Sequence, residues 1–273
     1  MDKQELMKIC TKDDDKILIA KLLDKIQFVS QRNQIQFTHF LDGYEQKLAL
    51  KVLQQVHYKT YIFFGGYKDA ERKMLFLFPE RLFDLLHEPF ETNKIIQNEI
   101  QVISIILPND LKNTYHHRDY LSGIMKLGVK REKAGDILVR EDGSDIIVQT
   151  DISEYLLSNL HELTRFRKSK FITKSISELE IVSIRMEDFT ILVPQLRLDT
   201  VVAEILHTSR TKANEVISSE RILVNYEIKT KNSLSIVQGD LLTIRGKGKY
   251  KIGRIVSQTS KGKLRVEISK YVS

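Results

Sequence analysis

The sequence predicts an α+β protein built from three units. Three observations predict it. Residues 92–184 read in the order βαββαβ, a pair of amphipathic helices followed by short strands fills the C-terminal third, and the surplus positive charge of the 273-residue chain lies in that same third. Blocks of this kind give antiparallel sheets with helices packed on them.

The first unit, 1–91, opens with helical spacing. Ile17, Ala20 and Leu23 share one predicted face, and Asp13-Asp14-Asp15 reads as a solvated helix start, where acids suit the helix dipole. Helical spacing resumes over Glu45 to Gln55 through Leu48, Val52 and Leu53. Tyr58 to Phe64 is rich in aromatic and β-branched residues and ends at Gly65-Gly66; Met74 to Phe78 is apolar and is stopped by Pro79. Two such runs with a glycine turn between them predict a β-hairpin.

The second unit, 92–184, starts with a β-like run from Glu99 to Leu107, ended by Pro108-Asn109-Asp110. Asp119 to Leu127 predicts a helix with Gly128 as its C-terminal cap. Ile137 to Val139 and Ile146 to Val148 flank the turn signal Glu141-Asp142-Gly143. Ile152 to Leu163 is a second amphipathic helix, and Phe171 to Ile184 offers one or two further strands. The order predicts a ferredoxin-like, RRM-like sandwich. RNA-stacking sheets of that shape carry aromatics on their central strands. Ile100 to Leu107 and Ser144 to Thr150 hold none, so the loop Lys130-Arg131-Glu132-Lys133 is the better candidate contact, beside its plain reading as a solvated loop.

The third unit, 185–273, holds a core-facing helix through Leu198, Val201, Val202, Ile205 and Leu206. Thr208-Ser209 caps a second helix bearing Ala213, Val216 and Ile217. Short strands are expected at Ile222 to Val224, Leu241 to Arg245, Lys251 to Val256 and Leu264 to Ile268.

Composition removes several function classes. Hydrophobic content of 42% with 29% charged residues excludes a collagen, a coiled-coil rod and a largely disordered chain. One cysteine excludes an internal disulfide framework. The acidic N-terminus shows no signal peptide and no apolar run is long enough to span a bilayer, so a cytoplasmic protein without a membrane is expected. The chain lacks a phosphate loop, H-E-x-x-H, C-x-x-C and G-x-S-x-G, and its seven histidines are dispersed. No enzyme, no cofactor and no metal are expected.

Charge is more telling. Residues 185–273 hold 16 Lys+Arg and 9 Asp+Glu, while residues 1–184 hold 27 of each. The whole excess of +7 therefore sits in the last third, which implies an anionic partner, nucleic acid before a membrane surface. Arg197-Leu-Asp199 opens one helix and Ser209-Arg210-Thr-Lys212 the next. A helix start of that composition aims backbone N–H groups, a hydroxyl and cations at one spot, which suits phosphate. Val224-Asn225 ends a strand beside it, and Arg245-Gly-Lys247-Gly-Lys249-Tyr-Lys251 is the densest basic segment. Its glycines allow close backbone approach to a polyanion; a soluble basic hairpin is the plainer reading.

The stretch 196–245 resembles the alpha-L, or S-four, RNA-binding motif, and the basic hairpin reads as a short extension of it. The resemblance implies binding to structured RNA by shape and phosphates, through Arg197, Asp199, Ser209, Arg210, Lys212 and Asn225, with Arg245, Lys247, Lys249 and Lys251 added by the extension. The motif usually has glycine where this chain has Glu220 and Tyr226. Tyr226 offers a ring for packing or for stacking on a base. Three further segments widen the match. Phe63-Phe-Gly-Gly-Tyr67 with Ala70-Glu-Arg-Lys73, Arg118-Asp-Tyr-Leu121 with Leu127-Gly-Val-Lys-Arg-Glu-Lys-Ala-Gly-Asp136, and Arg245-Gly-x-Gly together resemble the YlmH family of bacterial RNA-binding proteins. That resemblance implies a cytoplasmic factor on the large ribosomal subunit, in contact with ribosomal RNA and tRNA, in ribosome-associated quality control. It implies a monomer away from the ribosome and a link to cell-division genes. Lys130 and Arg131 are the expected RNA contacts of the middle unit. Two rival classes stand beside this reading: an RNA-modifying enzyme, and a membrane-surface or division scaffold.

Overall fold

The computed structural model describes residues 13–84, 89–179, 181 and 185–272. The chain divides into two compact units, Met1–Val182 and Ser183–Ser273. The boundary expected at 91/92 falls inside the first of them; the one expected at 184/185 lies two residues past the division. Mixed helices and wholly antiparallel sheets make the protein α+β.

In the first unit, α1 (Asp13–Arg32) is followed by β1 (Gln36–Phe37), α2 (Gly43–Gln55), β2 (Tyr61–Phe64) and β3 (Met74–Leu77). The predicted hairpin forms, Tyr61 opposite Leu77 and Phe64 opposite Met74, and β1 adds a third strand on the other side of β3. α2 starts at a capping box. Asp42 accepts from the Tyr44 and Glu45 amides, and the Glu45 carboxylate accepts from the Asp42 amide. The buried face of α1 is Asp15, Ile19, Leu22 and Val29, not the predicted Ile17–Ala20–Leu23 face; Ile17 is exposed. Asp15 is buried because Tyr44 of α2 donates its hydroxyl to it at 2.9 Å. The aspartate run is therefore only partly a solvated one.

The sequence continues through α3 (Pro89–Glu99), β4 (Ile100–Ile106), α4 (His117–Lys126), β5 (Ala134–Arg140), β6 (Gly143–Gln149), α5 (Ser153–Asn159) and β7 (Lys170–Lys174). The strands lie in the order β5-β6-β4-β7, every pair antiparallel, which is the order of a split βαβ sheet. One face of this sheet buries Ile103, Ile105, Ile146 and Val148 against Tyr120, Leu156 and Phe166 of the helical layer. Near one end, the opposite face places Ile100 and Ile147 in a cluster with Met74 and Phe76 of the first sheet and with Phe40 and Phe78 beside it. Alternate residues of β3 face the other way, Leu75 and Leu77 packing on α1 and α2. Each such aliphatic side chain contributes roughly 1.5–3 kcal/mol by leaving water.

Two of the segments that carry the whole-chain resemblance, residues 63–73 and 127–136, meet where the two sheets join. Asp136 accepts from the Tyr67 hydroxyl at 2.9 Å and from the Glu71 and Arg72 amides at 2.7 and 3.0 Å. Burial and then the Asp136 carboxylate push the Tyr67 hydroxyl well above the usual phenol range. Arg72 donates to the Phe40 carbonyl at 2.8 Å. Gly65 is pressed onto Arg72; a Cβ there would stand 2.2 Å from its carbonyl oxygen. Those residues hold the unit together, which explains their types without any ligand.

The second unit runs β8 (Arg185–Val193), α6 (Leu198–Ile205), α7 (Arg210–Ser218), β9 (Ile222–Val224), β10 (Glu227–Ile228), β11 (Leu241–Ile244), β12 (Gly248–Gln258) and β13 (Leu264–Val272). Its six-stranded sheet has the order β10-β9-β11-β12-β13-β8. Val201, Val202 and Ile205 of α6 and Ala213 and Ile217 of α7 bury against Leu242, Ile244, Ile252 and Ile268 of the sheet. The far end of β12 outruns that core. Arg254–Gln258 is exposed throughout, past register shifts after Ile252 and Ile255, and the turn of this hairpin, residues 260–263, is exposed with it.

Candidate nucleic-acid interface

α6 and α7 are joined by a short turn in which His207 adopts a left-handed φ of 49°. Ser209 then caps α7, its hydroxyl accepting from the Lys212 amide at 3.3 Å. The turn opens onto a shallow groove of about 450 Å³ lined by Ala203, Glu204, His207, Thr208, Ser209 and Lys212.

Behind this helix start lies a buried carboxylate. Asp199, 1% exposed, accepts from Arg197 through Nε and Nη2 at 3.1 and 3.0 Å, and from Arg210 Nη2 at 2.6 Å. Burial raises the Asp199 pKa, but the hydrogen bonds from Arg210 and Arg197 outweigh it and hold the carboxyl below its usual range. Arg210 stays 58% exposed while one N–H is anchored. A pre-oriented guanidinium at a helix start is suited to phosphate. Asp199 itself does not face solvent, so its expected contact with RNA becomes a positioning role.

Asn225 also turns inward. Its amide nitrogen donates to Asp240 at 2.7 Å and its amide oxygen accepts from the Leu241 amide at 3.0 Å. Asn225 and Tyr226 form the two-residue turn between β9 and β10, with φ of 52° and 72°. Glu220 has φ of 57°. The two positions where the RNA-binding motif usually has glycine are thus left-handed here, the conformation glycine enters most easily.

The basic segment forms the turn from β11 into β12. Gly246 and Gly248 take φ of 81° and 121°, and Arg245 and Lys247 are exposed. Lys249 and Lys251 alternate with buried Tyr250 and Ile252, which sets them on the outer face of β12. From Arg245 to Arg265 the chain has eight Lys+Arg and no Asp or Glu. Of these, Arg254 pairs with Glu267 of β13 at 3.1 Å.

Arg221 was not singled out by the motif. Its Nη2 donates to the Arg245 carbonyl at 2.9 Å, and its carbonyl accepts from the Arg245 amide at 2.9 Å. It ties the basic turn to the chain just beyond α7. The nine residues of α7 put about 13 Å between this turn's anchor and the Arg210 end. A solitary cation after a helix gave no sequence signal.

In the first unit, Lys130 is exposed as expected. Arg131 is not available in the same way. Its Nη1 donates to the Ala134 and Gly135 carbonyls, and burial, then the neighbouring Arg72 charge, bring its pKa down to about 10. It serves the loop fold rather than a surface.

The fold and interface together define a class: a two-unit α+β protein whose C-terminal unit carries an anchored cationic helix start and an acid-free basic run, Arg245–Arg265. Residues 96–178 match the family model described as "Putative RNA-binding domain in YlmH". The chain is 30% identical over 255 residues to the "Ribosome-associated protein quality control protein P2" of Bacillus subtilis (strain 168), covering 93% of this chain and 94% of that protein. The chain belongs to the YlmH family. The solved structure of "Cell division protein ylmH from Streptococcus pneumoniae" is similar with a TM-score of 0.47 and 17% identity, over 62% of this chain and 96% of that one.

Proposed function

We propose that this protein is a non-catalytic RNA-binding factor that works at the ribosome in the cytoplasm. Its RNA partners are ribosomal RNA, tRNA or both, its platform is the large subunit, and its process is quality control of stalled nascent chains. The observation that carries the RNA reading is the acid-free run of eight cations from Arg245 to Arg265, in the same unit as the anchored Arg210 at the start of α7. The setting comes from the relative, whose name ties it to ribosome-associated quality control. Recognition by the alpha-L-type helix pair is mainly of phosphate and shape, so affinity falls steeply with salt.

Among the described residues, no helix is long and apolar enough to cross a membrane. Away from the ribosome we expect a monomer. Filter binding to ribosomal RNA over a salt series tests the reading. Arg210→Ala and Lys212→Ala are expected to weaken binding; affinity indifferent to ionic strength, or unchanged in both variants, overturns it.

A further inference from the structure

The family match lies in the first unit, over 96–178, whereas the interface above lies in the second. The first unit must therefore be asked where RNA could touch it. The sheet face away from the helices offers little. Ile100 and Ile147 are packed under the first sheet. Beside them Asp145 and Ser104 are fully buried, Asp145 paired with Arg140 and with Lys174 at 3.8 Å, and Ser104 accepting from Arg140 at 3.3 Å. Bases have no aromatic platform there.

The matched stretch carries twelve cations and twelve acids, so its mean charge is uninformative. The cations are not evenly spread. Five of them, Arg165, Arg167, Lys168, Lys170 and Lys174, fall within ten residues that hold no acid. Arg165 is paired with Asp119 at 3.3 Å and Lys174 with Asp145. Arg167, Lys168 and Lys170 are exposed and have no ion pair among the described residues. They lead into β7, an edge strand of its sheet. Lys170 and Lys174 point to one face of it with Ile172, 43% exposed, between them. Lys170 and Lys174 stand about 13 Å apart on the strand, and Arg167 and Lys168 sit in the turn just before Lys170, so three exposed cations cluster at the start of β7, on whose outer edge no described strand pairs.

We propose that Arg167, Lys168 and Lys170 form a second RNA contact, in which the edge of β7 receives the sugar–phosphate backbone of RNA. This rests on the RNA-binding reading and adds a site to it. The strip has no exposed aromatic ring, and its two lysines and one arginine suit phosphate, so it positions RNA without stacking on bases. Two phosphate contacts on two units of one chain raise overall affinity when one RNA engages both.

The test uses the full chain, with single-stranded poly(U) and large-subunit ribosomal RNA as probes. Arg167→Gln/Lys168→Gln/Lys170→Gln is compared with Lys51→Gln/Lys59→Gln/Lys94→Gln, a control that removes the same charge from exposed lysines of the same unit. The strip variant is expected to lower the slope of log affinity against log salt by about 2 on poly(U). The control is expected to leave it unchanged. Equal slopes in the two variants, or no change in the strip variant while Lys247→Gln/Lys249→Gln/Lys251→Gln does lower the slope, overturn the second contact and leave the RNA reading standing. Wild-type protein that binds neither probe overturns both.

Discussion

The two units contain the same kinds of charged residue and use them in opposite ways. Residues 1–184 have as many acids as bases, and the structure shows many of them consuming one another: Arg140 with buried Asp145, Lys133 with Asp151, Asp136 with backbone amides, Arg131 with carbonyls. Residues 185–273 carry the whole surplus. There one buried acid, Asp199, organises two arginines from the starts of α6 and α7, and the run Arg245–Arg265 holds no acid. Formal charge is thus a poor guide to binding surface. What matters is whether a partner within the fold already holds the group.

Several changes would break or sharpen that contrast. The largest effect is expected at Gly143, where a Cβ would stand 1.8 Å from the Ile105 carbonyl oxygen at a φ of 152°. Gly143→Ala should destabilise the first unit by about 3–4 kcal/mol, read as a lowered urea midpoint. Next is Asp199→Asn, which leaves Arg197 and Arg210 facing a neutral amide. Loss of the buried charge and of one of its two acceptor oxygens should cost about 1.5–3 kcal/mol in the second unit and weaken RNA binding as Arg210 loses its anchor.

The pH dependence follows from the same residue. The folded Asp199 pKa lies below its unfolded value, so its stabilisation is present above the ordinary aspartate pKa of about 3.9 and is lost as pH falls through the folded value. Wild type should lose second-unit stability over that acid range, and Asp199→Asn should show a flatter profile in acid titration by circular dichroism. The smallest effect is a gain. Glu220 is exposed at a left-handed φ, so Glu220→Gly should stabilise the second unit by about 0.5–1 kcal/mol, visible as a small rise in Tm.

Local features were legible in the sequence because their signals are local. The periodicity of Leu48, Val52 and Leu53, of Val201, Val202 and Ile205, and the cap at Ser209 each needs only neighbouring residues. Non-local pairing was not. β8 joins β13 across some seventy residues of chain, Val193 opposite Leu264, and nothing around Arg185 announces it. The buried face of α1 depends on Tyr44, which holds Asp15, and on the apolar residues of α2 and β3 that cover Ile19, Leu22 and Val29, all far along the chain.

The candidate site divides in the same way. Residue types at the start of α7 and in the basic turn were readable from motif and composition. The inward commitment of Asn225 to Asp240, fifteen residues on, and of Arg131 to carbonyls in its own loop is a matter of side-chain direction, which spacing does not encode. The strip Arg167–Lys170 is the converse: a ten-residue window shows it, while the neutral average of its domain hides it.

The account stands on the claim that the cations of the acid-free run Arg245–Arg265 carry RNA affinity. The direct measurement is the salt dependence of ribosomal RNA binding by wild type and by Lys247→Gln/Lys249→Gln/Lys251→Gln, with Tm followed in parallel. The predicted result is a slope reduced by roughly 2–3 at unchanged Tm. An unchanged slope in a folded variant would contradict the claim.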